Sequence, residues 1–129
     1  SSDIETLVAD AAGSGLDVHL AIEPDGVLPA LPSGVALSAY RIVQEALTNA
    51  RKHAGPARVD VTLRLDAGRL VVTVDDDGRG ASTLAGERGG YGIVGMRERA
   101  TVLGGELDAG PRPGGGFRVS ASLPIQEEP

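Results

Sequence analysis

The chain contains no cysteine and no tryptophan. The first absence excludes disulfides and thiolate metal sites. Its aromatics are confined to Tyr40, Tyr91 and Phe117, so a core has to be built from Val, Leu, Ile and Ala. No apolar run approaches the about 18 residues that a membrane span needs. The opening residues lack the pattern of a signal peptide. The first residue is Ser1 rather than Met, as expected of a piece cut from a longer protein. Positive charge is also scarce: the net charge is −6, and the basic residues are scattered without interleaved aromatics, which argues against a nucleic-acid surface. An acidic protein that binds a polyphosphate must use backbone N–H groups, a metal ion or a few placed cations. The rarest residues point to one place. The only lysine is Lys52 and the only asparagine is Asn49, three positions apart.

The 129 residues fit one domain with a modest single core. Residues 3–12 have helical spacing, with Ile4, Leu7, Val8 and Ala11 on one face, and Gly13 and Gly15 stop the helix. Leu16, Val18, Leu20 and Ile22 alternate with polar or small residues, as in a half-buried strand. Residues 23–32 read as a loop. Ser33 is placed to cap a long helix running to about Ala54 and ended by Gly55-Pro56. Residues 57–65 and 69–76 form a hairpin around Asp66-Ala67-Gly68, and residues 77–91 read as a mobile glycine-rich loop. Gly92 to Leu103 is a helix with Ile93, Met96, Ala100 and Leu103 on its core face. Residues 106–109 and 117–123 form a second hairpin, with GPRPGGG between them as a surface turn. The order α-β-α-ββ-α-ββ does not give a parallel doubly wound sheet. The expected fold is a two-layer α/β sandwich, a mixed and mostly antiparallel sheet with about three helices on one face.

On the long helix Ala39, Ile42, Val43, Ala46, Leu47 and Ala50 make an apolar face, and Arg41, Glu45, Thr48, Asn49 and Lys52 fall on the opposite side. Glu45, Asn49 and Lys52 stand at i, i+4 and i+7 and project together. They are either a solvated stripe or a carboxylate, an amide oxygen and an ammonium aimed at one point. Oxygen ligands of that kind suit Mg²⁺ shared with phosphates. After the third strand comes DDDGRG. It is either a simple turn or a site where Asp76 accepts a hydrogen bond from an exocyclic amine such as that of adenine, with Gly78 and Gly80 letting the backbone pass close to a base. An EF-hand is excluded, because the fifth position from Asp75 is Arg79 and the twelfth is Gly86. The segment Gly90-Tyr91-Gly92-Ile93-Val94-Gly95 has the letters of a dinucleotide fingerprint without the βαβ context, so a nicotinamide-binding domain is disfavoured. Glycines that feed a helix N-terminus still present N–H groups to phosphates, or serve only as a hinge.

Together these stretches resemble the ATPase domain shared by histidine kinases, gyrase, heat-shock chaperone ATPases and mismatch-repair ATPases, which has the Bergerat-type ATP-binding fold. RIVQEALTNARKHA is similar to the asparagine box of histidine kinases, DDDGRG to the first glycine box and GYGIVGMRERA to the second, in the family's order and over nearly the whole chain. Glu45, the short loop before the second glycine box and GMRERA resemble the nitrate-sensor type, whose response regulators carry helix-turn-helix output domains. The resemblance implies Mg²⁺ on Asn49, a metal-bound water oriented or polarised by Glu45, and Lys52 and His53 near phosphate oxygens. It also implies adenine on Asp76 with Gly78 and Gly80 beside the base, and Gly90, Tyr91, Gly92, Ile93 and Gly95 on the phosphate side, with 79–91 as the ATP lid. The phenylalanine-containing box of many such lids is missing, and a threonine often found near the last strands is absent at Gly116-Phe117. No phosphoacceptor helix is present, and neither His19 nor His53 has an acceptor's context. The implied activity is an ATP-dependent protein histidine kinase. Its partners would be ATP, Mg²⁺, a helical dimerisation and phosphoacceptor domain and a response regulator, with no direct nucleic-acid or membrane contact. The fragment would be the cytoplasmic part of a membrane-attached parent. The rivals are a serine-kinase anti-sigma factor of the same fold and a degenerate ATP-binding interaction module without turnover.

Overall fold

The computed structural model describes residues 2–53, 58–78, 89–113 and 115–125. In chain order the elements are α1 (Ser2–Gly13), β1 (Asp17–Glu23), α2 (Ser33–His53), β2 (Arg58–Asp66), β3 (Arg69–Asp76), α3 (Gly89–Val102), β4 (Glu106–Pro111) and β5 (Phe117–Pro124). The five strands form one sheet in the order β1-β2-β3-β5-β4. Only the β1–β2 pair is parallel, and the other three are antiparallel. This is the mixed two-layer α/β sandwich expected from the sequence. A parallel, nicotinamide-type sheet is ruled out.

Registry separates the two faces. Val61 lies opposite Leu20 and Val74, and Leu63 lies opposite Ile22 and Val72, so the apolar members of each alternation share one side. Leu70, Val119, Ala121 and Leu123 continue that side across the sheet. The other side carries polar pairs, including Arg118 with Asp75 and Arg58 with Asp60. These exposed pairs keep the face wet and add little stability.

The helices cover only the apolar side, in the order α1, α2, α3. Helix α1 packs on β1 and α2. Helix α2 packs over the central strands, and α3 packs on β4 and against α2. Ile42, Val43 and Ala39 of α2 are fully buried, as are Met96 and Ala100 of α3 to within a few per cent. Arg51 Nη1 donates to Ser14 Oγ (3.1 Å), and Arg97 Nε donates to the Leu107 carbonyl (3.3 Å), tying α1 to α2 and α3 to β4.

Several boundaries differ from the sequence reading, three of them informative. Ala36 N–H donates to the Pro32 carbonyl (2.9 Å), so Pro32 supplies the cap position and Ser33 is the first helical residue. The first hairpin has a two-residue turn: Asp66 pairs with Arg69, and Ala67 and Gly68 both have positive φ, the backbone that a twisted hairpin requires. Helix α3 begins at Gly89, three residues early, so residues 89–91 are helical rather than loop. The expected stop at Gly55-Pro56 lies outside the described residues.

Leu63 has no solvent exposure, whereas its neighbour Thr62 faces the polar side. Leu63→Ala should therefore cost about 2–5 kcal/mol, the range for a buried leucine that leaves a cavity. Thr62→Ala should change stability by only about half a kcal/mol. Urea denaturation of both variants measures the difference.

Candidate functional site

The polar edge of α2 meets the start of α3. A methyl group placed on Gly92 would lie 2.5 Å from Glu45 Oε2 and 3.1 Å from its Cγ and Cδ. A larger residue at 92 would displace the Glu45 carboxylate from its position, so the glycine leaves the room in which that side chain lies. Beside this contact lies a cavity of about 210 Å³, lined by Arg41, Gln44, Glu45, Gly92, Gly95, Met96 and Arg99. A side chain at Gly95 would meet nothing within 4 Å, and that open space adjoins the cavity. The structure thus brings Glu45, Gly92 and Gly95 together from two segments about fifty residues apart in the chain.

Asn49 is not on the exposed side of α2. It is 9% exposed and is the one buried polar residue among those described. At roughly 100° per residue it sits about 20° from Ile42 around the helix, at the margin of the apolar face rather than opposite it. No hydrogen bond among the described residues satisfies its amide. No fully buried polar side-chain atom among them lacks a partner either, so the amide retains contact with open space. A buried amide facing space in this way is unusual unless a ligand or water completes it.

Asp76 occupies the last position of β3. Its register partners are Val59 and Phe117, both buried, so its side chain lies in the core-facing row of the sheet. Burial raises its carboxyl above the ordinary aspartate value, and the nearby Asp77 carboxylate adds to the rise. Hydrogen bonds from the N–H groups of Gly78 and Phe117, together with the Arg112 cation, oppose it. The Gly78 N–H donates to Asp76 Oδ1 at 2.9 Å, closing a turn that leaves Gly78 itself buried. The Asp77 carboxylate turns back and accepts from the Arg58 N–H (2.8 Å), which fixes this turn to β2.

Other expected site residues are placed in part. Lys52 and His53 end α2, and Gly90 and Tyr91 lie in the first turn of α3, but nothing is described beyond their backbone. Gly80, and the lid from 79 to 88, lie outside the described residues. The helical start at Gly89 changes how the second glycine stretch can bind a ligand. The free N–H groups belong to the first turn, around Gly89 to Tyr91, whereas those of Ile93 and Gly95 lie within the helical ladder. No described contact joins Asp76 to Asn49. Among the described residues no group of three or more His, Cys, Asp and Glu gathers as a metal site. No helix there is long and apolar enough to cross a membrane.

Two residues of the site were missed in the sequence. Arg112 Nη1 donates to the Asp76 carbonyl (3.0 Å), and Gly116 packs so tightly on that carbonyl that a methyl group there would collide with it. Both belong to GPRPGGG, which reads as a plain surface turn until the pairing of Phe117 with Asp76 is known.

A mixed sheet roofed by three helices, with a buried amide on the middle helix and a half-buried carboxylate at a strand end, defines a two-layer domain with polar groups at the ends of its elements. Residues 34–127 match the family of histidine kinase-, DNA gyrase B- and HSP90-like ATPases, and the chain belongs to that family. It is 36% identical over 97 residues to the signal transduction histidine-protein kinase/phosphatase DegS of Brevibacillus brevis, covering 75% of this chain and 25% of that protein. It is 35% identical over 113 residues to the sensor histidine kinase YxjM of Bacillus subtilis, covering 87% and 27%. The chain therefore spans about a quarter of the length of these relatives. Among solved structures it is similar to the ATP-binding domain of PrrB from Mycobacterium tuberculosis, with a TM-score of 0.69, 27% identity and coverage of 98% of this chain and 93% of that one.

The burial of Asp76 has a consequence for stability. A raised folded-state value means that the protonated form stabilises the fold. That contribution is full below the unfolded aspartate value and is lost as pH rises through the folded one. Asp76→Asn should therefore be more stable than the parent chain near neutral pH, and the advantage should shrink as pH falls through the raised value. Urea midpoints across that window test it, and a destabilised variant at neutral pH would contradict it.

Proposed function

We propose that this chain is the nucleotide-binding domain of a sensor histidine kinase, holding Mg·ATP between α2, the β3 turn and α3 and donating the terminal phosphoryl group to a histidine on a separate helical domain. The observation that carries this reading is the close approach of Glu45 to Gly92, one helical turn from Asn49, whose amide has no hydrogen-bond partner among the described residues and still reaches open space. It joins the asparagine stretch to the second glycine stretch at one margin of the sheet.

The donor set fits a hard cation. Asn49 offers an amide oxygen and Glu45 a carboxylate, and Mg²⁺ commonly takes only one or two protein oxygens, filling its other positions with waters and phosphates. When bound, the ion would neutralise charge on the phosphates. The remaining work falls to the chain itself. Asp76, in its ionised form, would accept the exocyclic amine of adenine, with Gly78 and Gly80 leaving room for the ring. The free N–H groups at the start of α3, around Gly90 and Tyr91, would meet phosphate oxygens at the positive end of the helix dipole. Gly92, Ile93 and Gly95 would keep the phosphate side open, and Lys52 and His53 would supply donors to phosphate. Glu45 would orient water or the incoming acceptor. Phosphoryl transfer requires mainly such positioning and charge neutralisation.

The similarity to DegS and YxjM supports the histidine-kinase branch over a serine-kinase anti-sigma factor. The narrower nitrate-sensor type, with a helix-turn-helix response regulator as partner, rests on Glu45 and GMRERA. The membrane-attached parent belongs to the same proposal.

Titration of a fluorescent ATP analogue with and without Mg²⁺ tests the reading. The chain should bind with magnesium and fail to phosphorylate itself. Asn49→Ala should weaken magnesium-dependent binding by roughly tenfold or more, the scale of a lost ligand contact to a charged group. It should leave magnesium-free binding little changed. Binding indifferent to Mg²⁺, or none at all, would instead indicate an interaction module without turnover. Gly92→Ala should lower affinity by displacing Glu45, and Gly92→Ala with Glu45→Ala should fold as well as Glu45→Ala alone.

A further inference from the structure

The β4–β5 loop bears on the base end of the site, although nothing in its composition suggests a functional role. Arg112 opens this loop. Its backbone N–H donates to the Gly116 carbonyl (2.9 Å), and its own carbonyl accepts from the Gly115 N–H (3.1 Å), so the residue is fixed at both backbone ends. Its side chain then reaches across two strands to the Asp76 carbonyl, where Nη1 donates at 3.0 Å. Gly116 closes on the same carbonyl, at φ +95, with no room for a Cβ. Asp76 is therefore gripped at its main chain by one loop while its side chain is turned toward the helix layer.

We propose that Arg112 is a positioning residue for the nucleotide-base subsite. From the β4–β5 loop it clamps the Asp76 carbonyl, fixes the direction of the Asp76 carboxylate, and holds a cation close enough to keep that carboxylate ionised for the base. This rests on the reading of Asp76 as the acceptor for an exocyclic amine. The physical need is clear from the geometry. A carboxylate in the core-facing row is pushed toward its protonated form by burial, and a protonated carboxyl is a poorer acceptor for an amine. The Gly78 and Phe117 N–H groups offset part of that push, and among the described residues Arg112 supplies the positive charge acting on it.

Among the described residues, the other charges on the elements around Asp76 are as follows. Asp77 lies beside Asp76 in the chain and opposes Arg112. On β2 and β5 the flanking residues in the same row are the apolar Val59 and Phe117, while Arg58 with Asp60 and Arg118 with Asp75 pair on the far side of the sheet. In the last turn of α2, Arg51 is bonded to Ser14. All of these stay constant across variants at position 112.

The test uses Arg112→Ala and Arg112→Lys in the full chain, with matched urea midpoints as the control for folding. Arg112→Gln, which keeps N–H donors without charge, stands in if the alanine variant unfolds. The Asp76 carboxyl is titrated by ¹³C NMR without nucleotide, and ATP-analogue affinity is measured across the same pH range. Arg112→Ala should raise the pH at which Asp76 ionises. It should weaken binding by roughly three- to tenfold near neutral pH, the scale of one lost charge-assisted contact, and shift the acid limb of the binding profile upward. Arg112→Lys should restore both. An Asp76 titration and an affinity both unchanged in Arg112→Ala would overturn the proposal. So would a lysine variant that recovers stability but neither readout, because Arg112 would then be only structural. If Asp76→Asn binds ATP as tightly as the parent, the base-subsite reading fails, and the nucleotide part of this proposal fails with it. The nucleotide-free titration would still decide whether Arg112 governs Asp76.

Discussion

A carboxylate in the core-facing row of a sheet is the constraint around which the site is arranged. The alternation of β3 puts Leu70, Val72 and Val74 inward, and the next inward position is Asp76. Charge there is costly unless hydrogen bonds and a counter-charge accompany it. The fold supplies them from three directions: the Gly78 N–H in the following turn, the Phe117 N–H on β5, and the Arg112 guanidinium from the loop preceding β5. Each requires a particular local chain. The turn must be tight enough to return Gly78 to its own aspartate. Gly116 must lack a side chain so that β5 can begin beside the Asp76 carbonyl.

The helix layer solves a related problem by different means. Asn49 lies within the buried margin of α2, but its neighbours there are apolar side chains rather than partners. Helix α3 approaches α2 closely at Gly92, which confines Glu45 without bonding it to another described residue. The two acidic groups therefore stand in different situations. Asp76 is satisfied by the protein and oriented by it. Glu45 and Asn49 are confined by packing but keep their bonding capacity open. A base, which needs one fixed acceptor, and a phosphate-bound cation, which needs ligands free to coordinate, make those two demands.

Most of the fold was legible in the sequence because period and punctuation agree: alternating Val and Leu in β2 and β3, a helical apolar stripe in α2, and glycines at the stops. The start of α3 was misread because Gly89 and Gly90 have poor helix propensity, so local preference sets the start of the helix later. Glu45, Asn49, Asp76 and Gly92 could be singled out by spacing and by resemblance. The depth of Asn49 was misjudged by treating α2 as two clean halves, when a position one step from Ile42 is at the margin. Arg112 and Gly116 could not be found locally. Their role exists only through the antiparallel register that sets Phe117 against Asp76, a long-range pairing that no loop composition encodes.

The positions that break the local rules are also the ones the functional reading singles out. Asp76 interrupts an apolar alternation, Asn49 enters a buried helical stripe, and Gly92 sits in a helix where almost any other residue would be more favourable. A sequence selected for stability alone would place an apolar residue at the first two positions and alanine at the third. Sequences normally agree across levels, from propensity to pattern to packing, and depart from that agreement where function requires it. Here three departures, each destabilising by itself, lie on three separate elements of a core that is otherwise consistent. Solvation could explain a lone polar residue on a helix, and a turn could explain a lone aspartate after a strand. Neither explains why the glycine that costs α3 propensity is the one whose missing side chain leaves room for the Glu45 carboxylate.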